Sequence, residues 1–499
     1  MARDELTTVE PYGVEPIPLA HRDASVFDFM RLQWGGANTL ATAVLGSFPI
    51  LFGLSFWHAL AATVLGVALG ALILSPMALF GPVTGTNNAV SSGAHFGVVG
   101  RVVGSFLSLL TAVAFFSISV WSSGDALVGT LHRLTGVAES PALQAGAYAL
   151  FAAAVLVVCL YGFRFMLWVN KVAVLAATPL FLAGFVAFAP DFDPAYAGGA
   201  ALAPGVPGFW AAFTGSALIA LSNPVSFGAF LGDWSRYLPP RTPRHRLILA
   251  TLGGQLLTLV PFVFGLMTAS IVAVKSPDHL AQANYTGGLL AITPAGFFVP
   301  LLLLALVGGM STGTTSLYGT GLDFSSVFPR LSRPRATLLV GLLAIALIFV
   351  GRFVFDLVGA ITTFVTLIIV MTTPWMVIML IGFLTRRGHY QADDLQVFTR
   401  RQKGGAYWFH GGWNLRGMAA WLPSAAIALA TVNIPGQFVG WAGEWAGGID
   451  LSLPVALLLP ALIYPALLWA WPEPRAVYGP AGPRGVPCSA APIAPIEAE

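Results

Sequence analysis

The chain has 499 residues, of which 57% are hydrophobic and only 9% are charged. A soluble domain of ordinary composition has about 25% charged residues, so this chain cannot cover a water-facing surface of its own size. The formal net charge of +3 is too small to indicate an anionic partner. The composition excludes a soluble enzyme, a nucleic-acid-binding protein and a disordered protein, and it predicts a protein surrounded by the lipid bilayer.

Twelve continuous apolar runs are long enough to cross a membrane as helices, which need about 20 residues each. Strands of a membrane barrel would be only about 10 residues long and would alternate between polar and apolar residues. The sequence therefore predicts an all-α membrane protein with twelve transmembrane helices. The predicted spans, numbered 1 to 12 in chain order, lie near residues 32–54, 57–80, 102–130, 142–162, 166–188, 208–231, 247–273, 290–318, 336–355, 357–384, 417–435 and 451–472.

The positions of Lys and Arg predict the orientation of these spans, because connections on the cytoplasmic side are enriched in both residues. With the N-terminus in the cytoplasm, 21 of the 24 Lys and Arg residues fall in the two tails or on the cytoplasmic side of the spans. The three that remain on the outer side are Arg133, Lys275 and Arg352. We therefore expect both termini in the cytoplasm and the protein in the plasma (inner) membrane.

Spans 1 and 6 contain residues that interrupt helices. Span 1 includes the segments 34–39 (Trp-Gly-Gly-Ala-Asn-Thr) and 46–49 (Gly-Ser-Phe-Pro), and span 6 includes 222–228 (Ser-Asn-Pro-Val-Ser-Phe-Gly). Gly and Pro weaken a helix, and a break at mid-depth leaves backbone groups free to bind a ligand. Interruptions at corresponding places in two five-helix halves indicate an inverted-repeat transporter, although Gly and Pro also serve close helix packing.

Span 8 contributes a cluster of hydroxyl groups, with five Ser or Thr residues among the six positions 311–316. A small cation such as sodium is bound by oxygen atoms, which hydroxyls and free carbonyls can supply without a buried carboxylate. The alternative is that these hydroxyls only donate to carbonyls of their own or a neighbouring helix.

Several motifs together carry a resemblance to a known family. The segment 232–239, Gly-Asp-Trp-Ser-Arg-Tyr-Leu-Pro, resembles the Asp-aromatic-Ser/Thr-Arg-Tyr signature of the nucleobase–cation symporter family, in its purine and cytosine permease branch. The other segments similar to that branch are 34–38, 81–86 with 96–97, 317–322, 387–390 and 407–414. The resemblance extends over residues 22–435.

This resemblance implies a leucine-transporter-type fold, in which spans 1–5 and 6–10 are inverted repeats and spans 11 and 12 are peripheral. We therefore predict six segments: a cytoplasmic N-terminal tail (1–27), a first repeat (28–188), a second repeat (208–384), a cytoplasmic loop (385–416), peripheral helices (417–472) and a cytoplasmic C-terminal tail (473–499).

The resemblance also implies the binding sites. It places a coupling cation, sodium or a proton, between spans 1 and 8; for sodium, the implied ligands are the carbonyls of Gly36, Thr39 and Gly308 and the hydroxyls of Ser311 and Thr312. It places a planar heterocycle between spans 3 and 6, near Phe115, Ser119, Asn223, Pro224, Ser226 and Phe227. Pro224 stands where relatives have an aromatic platform, so Phe227 or Trp121 would have to supply the second stacking face.

Asp125 is the most notable ionisable residue within a span. It lies in span 3 near the outer end, where it could couple protons, form a gate or extend towards water. Arg352 and Asp356 are spaced to form an ion pair on one helix surface.

The sequence thus predicts a secondary transporter, with no enzymatic activity and no cofactor, that imports a nucleobase (cytosine or purine) or a related heterocycle by cation symport. Another small polar solute of the vitamin-precursor, hydantoin or allantoin type is the alternative substrate. A channel is a third class, and it would require a pore motif that is not visible in the sequence.

Overall fold

The computed structural model describes residues 12–199, 201–328, 330–353, 357–434 and 436–498, and they form a bundle of helices. Ten helical segments of this part are long and apolar enough to cross a membrane. Spans 1 and 11 contain the shorter apolar helices Leu40–Leu51 and Leu415–Ala430. The all-α prediction is confirmed, and each of the twelve predicted runs contains a helix.

The first five spans begin near the tail residue Ser25, whose side chain accepts the backbone N–H of Asp28 and so caps the first helix. Their helices are Val26–Ala37 and Leu40–Leu51 in span 1, Phe56–Leu74 continued by Phe80–Thr84 in span 2, Val102–Thr135 in span 3, Pro141–Tyr161 in span 4 and Phe163–Phe188 in span 5. A further helix, Asn88–Phe96, lies between spans 2 and 3.

The second half of the chain repeats this pattern of long and interrupted helices. The helices are Phe209–Ser226 and Leu231–Ser235 in span 6, Arg244–Leu256 and Leu259–Lys275 in span 7, Phe298–Val327 in span 8, Arg333–Phe353 in span 9, Leu357–Leu367 and Thr373–Thr385 in span 10, Leu415–Ala430 in span 11 and Ser452–Ala470 in span 12. A π-helical turn, Ile368–Thr372, joins the two helices of span 10.

The predicted bounds of span 8 were wrong by more than two turns at each end. Its expected start lies in a separate helix, Tyr285–Ile292, which follows the short helix Pro277–Ala281. Thr293 and Pro294 have extended backbones and end that helix, since a residue before proline disfavours the α conformation. The spanning helix begins at Phe298 and continues to Val327.

The packing of the spans agrees with the expected inverted repeat. Span 6 packs along span 2, and the second half of span 7 packs along the second half of span 1. If each span n is exchanged with span n+5, these two contacts map onto each other. Span 8 packs along span 3, and this contact maps onto itself. The six-segment division of the chain remains a prediction.

The first and last described segments of the chain lie at the same end of the bundle, which we call the terminal face. The N–H of Ile17 donates to the carbonyl of Gly85 after span 2, at 3.0 Å. The C-terminal segment forms two-residue strands: Glu473–Pro474 pairs with Cys488–Ser489, and Glu497–Ala498 pairs with Gln402–Lys403 in the loop after span 10. Another strand pair, Asn433–Ile434 with Phe438–Val439, connects spans 11 and 12.

Candidate functional site

Span 1 is interrupted at Asn38 and Thr39, as its glycine-rich sequence predicts. Thr39 has an extended backbone, with φ −144° and ψ 162°, between the two helices of the span. Its hydroxyl accepts the N–H of Thr42, and its carbonyl accepts the N–H of Ala43 at 3.3 Å. The Asn38 amide donates to the Thr178 hydroxyl of span 5 at 3.0 Å. The break is thus held by side chains as well as by the helix that follows it.

The residues expected to bind a cation meet where this break faces span 8. The Thr312 hydroxyl donates to the Gly36 carbonyl, with the oxygens 2.7 Å apart. Gly308 lies directly against Thr39, because a Cβ atom added to Gly308 would be 3.0 Å from the Thr39 Cα. Ser311 and Thr312 are both buried. Spans 1 and 8 therefore bring these oxygen-bearing residues into one layer.

Asn170 in span 5 completes this layer, and the sequence analysis missed it. Its Nδ2 donates to the Ser311 hydroxyl at 3.1 Å and to the Leu32 carbonyl at 3.2 Å. Gly35 is needed opposite it, since a Cβ atom there would be 2.3 Å from the Asn170 Nδ2. A fully buried amide within an apolar helix requires partners, so the isolated Asn170 in span 5 was the available signal.

The break in span 6 lies further along the chain than expected. The helix continues through Asn223 and Pro224 to Ser226, and it is interrupted only between Phe227 and Phe230. The Pro224 ring packs against span 2, where a Cβ atom on Gly70 would be 3.1 Å from it. This packing stabilises the helix although proline has no backbone N–H to donate. In this conformation Pro224 therefore faces span 2 and offers no platform for a ligand.

Asn223 lies in the last turn of the helix Phe209–Ser226 and is buried, with 1% of its surface exposed. Neither its Nδ2 nor its Oδ1 has a hydrogen-bond partner in the described part of the chain. A buried amide without partners costs about 1–3 kcal/mol, so a ligand or water is needed to satisfy this group. Ser226 differs, because its hydroxyl donates to the Asn223 carbonyl at 2.5 Å and is already satisfied.

The three aromatic residues considered for stacking differ in their surroundings. Phe227 lies one turn after Asn223, and its ring is 3.6 Å from the position of a Cβ on Gly36 at the span 1 break. Phe115 is also buried, in the same hydrophobic core as Phe227. Trp121 points elsewhere, since its Nε1 donates to the Ile348 carbonyl of span 9 at 3.2 Å. Of the two replacements considered for the second stacking face, the geometry favours Phe227.

Ser119 is one turn after Phe115 in span 3. Its hydroxyl donates to the Phe115 carbonyl at 2.8 Å, a common arrangement for serine in membrane helices. This bond uses the hydrogen of the hydroxyl and leaves a lone pair that can accept from a ligand. The structure therefore permits Ser119 an acceptor role.

Asp125 forms a network with spans 4 and 9 at the end of the bundle opposite the terminal face. The Tyr148 hydroxyl donates to its Oδ1, and Arg352 lies 3.7 Å from its Oδ2. The Arg352 Nε also donates to the Tyr148 hydroxyl at 3.0 Å. Asp125 is thus paired rather than extended into water. The expected partner of Arg352, Asp356, lies outside the described residues.

A small cavity of about 30 Å³ adjoins Asp125. It lies between the second helix of span 1, the connection before span 8 and span 10, and it has room for about one water molecule. Its lining includes Ser47, Phe48, Tyr285, Thr286 and Ile361. Spans 1, 3 and 10 therefore approach each other closely on this side.

The signature after span 6 is buried at the terminal face. Arg236 donates to the Gly13 carbonyl of the N-terminal segment at 2.6 Å and to the Tyr318 hydroxyl of span 8 at 3.3 Å. The Tyr237 ring stacks on Phe163 of span 5 with centroids 4.0 Å apart. These residues join the ends of spans 5, 6 and 8 to the N-terminal segment.

Comparisons with known proteins agree with this arrangement. The profile of a family described as permeases for cytosine/purines, uracil, thiamine and allantoin matches residues 16–452. The putative purine-cytosine permease YxlA of Bacillus subtilis (strain 168) is 24% identical over 485 residues, 94% of this chain and 98% of YxlA. The vitamin B6 transporter TPN1 of Saccharomyces cerevisiae is 24% identical over 340 residues, 64% of this chain and 56% of TPN1.

The fold is similar to that of Mhp1, a nucleobase-cation-symport-1 family transporter. With Mhp1 in a closed conformation with bromovinylhydantoin bound, the TM-score is 0.70 at 18% identity, covering 94% of this chain and 97% of Mhp1. With the inward-facing conformation of Mhp1, the TM-score is 0.64 at 18% identity, covering 95% of this chain and 96% of Mhp1. The predicted leucine-transporter-type fold is confirmed by this likeness.

Proposed function

Because the chain belongs to the family of permeases for cytosine/purines, uracil, thiamine and allantoin, we propose that it imports a nucleobase or a related small heterocycle by cation symport. The observation that carries this proposal is Asn223, a buried amide without partners in the described residues. An amide offers both donors and an acceptor, which match the mixed N–H and C=O edge of a nucleobase. Asn223 lies on the helix that approaches the span 1 break.

The proposed substrate site lies between spans 3 and 6. Asn223 would read the edge of the heterocycle, while Phe227 and Phe115 would supply stacking faces. Ser119 and Ser226 would add acceptors, because their hydroxyl hydrogens are already donated to carbonyls. Pro224 would contribute only after a change of conformation that moves it away from Gly70.

The proposed sodium site lies between the span 1 break and span 8. The carbonyls of Gly36, Thr39 and Gly308 and the hydroxyls of Ser311 and Thr312 would supply the five oxygens. In the structure, the Thr312 hydroxyl donates to the Gly36 carbonyl, so sodium would replace this hydrogen bond by coordination to both oxygens. Because span 1 borders both proposed sites, cation binding would order the break that also faces the substrate.

Alternating access would move spans 1 and 6 against the pair formed by spans 3 and 8. We place the terminal face in the cytoplasm, because the connections on that side carry most of the Lys and Arg residues. The same rule places Asp125 and the small cavity beside it on the outer side. The protein would reside in the plasma (inner) membrane.

A different heterocycle within the same family is the second candidate. Pro224 stands where the resemblance implies an aromatic platform, and one relative of this chain is a vitamin B6 transporter. A vitamin precursor, a hydantoin or allantoin would also offer polar edge groups to the Asn223 amide.

The test is a thermal-shift screen of the purified protein against nucleobases, hydantoins, allantoin and pyrimidine vitamins, with and without sodium. A ligand that binds the native state raises the melting temperature, and coupling makes this rise larger in sodium. Uptake of the best ligand into proteoliposomes then tests transport. The proposal fails if no heterocycle shifts the melting temperature, or if the protein conducts ions at channel rates without accumulating substrate.

A further inference from the structure

The connection between spans 11 and 12 exposes large apolar side chains, and we call its residues 436–451 the aromatic loop. Trp441 and Trp445 are 76% and 73% exposed, and their rings meet edge to face with centroids 4.9 Å apart. The other exposed apolar side chains of the loop are Phe438, Val439 and Ile449. A group of large exposed apolar side chains indicates a surface that contacts an apolar partner.

Buried polar side chains hold the aromatic loop in shape. The Asp450 carboxylate accepts the backbone N–H of Asn433 at 2.6 Å and that of Ser452 at 2.7 Å. The Asn433 amide donates to the carbonyls of Gly443 at 3.2 Å and Gly448 at 3.3 Å. These bonds involve no tryptophan side chain, so they leave the two exposed indole rings available to a partner.

The aromatic loop lies at the end of the bundle opposite the terminal face. Span 12 begins directly after it at Ser452 and ends at Ala470, just before the terminal-face strand Glu473–Pro474. This helix of 19 residues is about 28 Å long at 1.5 Å per residue, close to the hydrocarbon thickness of about 30 Å. Trp469 and Trp471 are exposed at its other end. Exposed tryptophans therefore mark both ends of span 12, as in the aromatic belts at the two surfaces of a bilayer.

The surroundings of the aromatic loop identify its partner as lipid. Spans 11 and 12 pack against each other, and Ile427, Leu458 and Leu462 are exposed on these helices, where they contact the bilayer. The loop continues this lipid-facing surface. Tryptophan combines an apolar ring with one N–H donor, which suits the level where hydrocarbon meets hydrated headgroups. Glu444 is the only charged residue among residues 436–449, so the loop has no Lys or Arg to attract anionic headgroups.

The aromatic loop also contacts the start of span 6. The backbone N–H of Asp450 donates to the Thr214 hydroxyl at 3.3 Å. Gly448 lies against Ala211, because a Cβ atom added to Gly448 would be 3.6 Å from the Ala211 Cβ. A loop that is fixed at the membrane surface therefore fixes the start of span 6 at the same depth.

We propose that the aromatic loop binds the lipid–water interface on the side opposite the terminal face, with Trp441 and Trp445 at headgroup level, and that this contact holds the start of span 6 in place. The partner is a surface of zwitterionic phospholipid. The inference does not depend on the substrate, so its failure and that of the proposed function are seen in different measurements.

Fluorescence quenching of the full-length protein in phosphatidylcholine nanodiscs tests the contact. The difference in emission between the parent and W441F/W445F reports these two tryptophans alone. We expect bromine atoms near the headgroup end of the acyl chains to quench this difference more than bromine atoms near the chain ends, and iodide in the water to quench it weakly. Added phosphatidylglycerol should not change the result, because the loop has no Lys or Arg. W441F and W445F alone give the same comparison if the double variant fails to fold.

Two results would overturn the lipid contact. Strong quenching by iodide without quenching by brominated lipid would mean that the loop lies in water. A parent that is dimeric by light scattering and becomes monomeric in W441S/W445S would mean that the surface binds a second copy of the chain.

Hydrogen exchange in the same nanodiscs measures the link to span 6. We expect W441S/W445S to increase amide exchange several-fold in the first two turns of span 6, residues 209–216. W168S is the matched control, because Trp168 is also exposed but lies in span 5 near the terminal face. Equal exchange at residues 209–216 in the parent and W441S/W445S would show that the loop does not hold span 6.

Discussion

The Thr312 hydroxyl of span 8 and the Gly36 carbonyl of span 1 are joined by a hydrogen bond of 2.7 Å across the break in span 1. A small cation could coordinate both oxygen atoms if it replaced this hydrogen bond. The contact therefore links two spans that the proposed alternating-access mechanism would move relative to each other.

The first prediction concerns the cation. Replacing both Ser311 and Thr312 with alanine removes two of about five oxygens, and water cannot easily restore them in a buried site. We expect the sodium-dependent rise in melting temperature to vanish while the protein still folds. Thr314→Ala is the matched control, because the Thr314 hydroxyl donates to the Ser311 carbonyl of its own helix at 3.1 Å. Sodium stimulation that survives in the double variant would remove this site from consideration.

The second prediction concerns Asn170, which supports the cation site from span 5. Asn170→Ala leaves the Leu32 carbonyl and the Ser311 hydroxyl without their donor, at a cost of about 1–3 kcal/mol. We expect a lower melting temperature and a weaker response to sodium, since Ser311 loses its orientation. Asn170→Asp keeps the size of the side chain but replaces the N–H donor with an acceptor. An unchanged sodium response in both variants would show that Asn170 has no part in the site.

The cation site and its neighbour Asn170 show how much of this region the sequence predicts. Gly35, Gly36 and Thr39 predict a break in span 1 because local chemistry alone disfavours a helix there. Asn170 was missed because its partners, Leu32 and Ser311, are distant in the sequence and become neighbours only through packing. The start of span 8 was misplaced for a related reason, since an apolar run does not reveal whether it crosses the membrane or folds as a separate helix.

Span 6 shows the same limit at a finer scale. Proline and glycine located the break to within one turn, but the contact of Pro224 with Gly70 keeps the helix intact through Asn223. The pairing of Asp125 with Tyr148 and Arg352 was equally inaccessible, because residues from three spans create it.

The third prediction concerns His95, which is fully buried in the helix between spans 2 and 3. Burial, and then the nearby charge of Arg386, lower the pKa of His95 well below its usual 6.5. The unfolded chain therefore binds a proton that the native state does not, so the free energy of unfolding decreases as the pH falls below about 6.5. The melting temperature of His95→Gln should depend less on pH over this range. His245→Gln, at an exposed position, should match the parent, and an unchanged pH dependence in His95→Gln would refute the assignment.

The fourth prediction concerns the buried ion pair of Arg386 and Glu473, which joins the end of span 10 to the C-terminal segment. The pair is 2.8 Å apart with both side chains 1% exposed, and Asn414 also donates to Glu473 at 2.7 Å. Glu473→Gln leaves the Arg386 charge buried without its partner, which costs about 3–5 kcal/mol. We expect a clear drop in melting temperature. Asp393→Asn breaks an exposed ion pair with Arg400 and should cause no resolvable change; equal effects in both variants would contradict the argument.

The last prediction concerns the substrate site. Phe115→Ala removes a stacking face worth about 0.5–1.5 kcal/mol beyond burial, so affinity should fall several-fold by a similar factor for every ligand. Asn223→Ala should act differently, because an unpaired polar group on the bound ligand costs about 1–3 kcal/mol, or roughly 5- to 150-fold, depending on its edge groups. Binding of ring-substituted analogues to both variants measures this contrast. Ser222→Ala is the control, since the Ser222 hydroxyl donates to the Ile219 carbonyl of its own helix. Equal losses across all analogues for Asn223→Ala would mean that Asn223 supports the helix rather than reading the substrate.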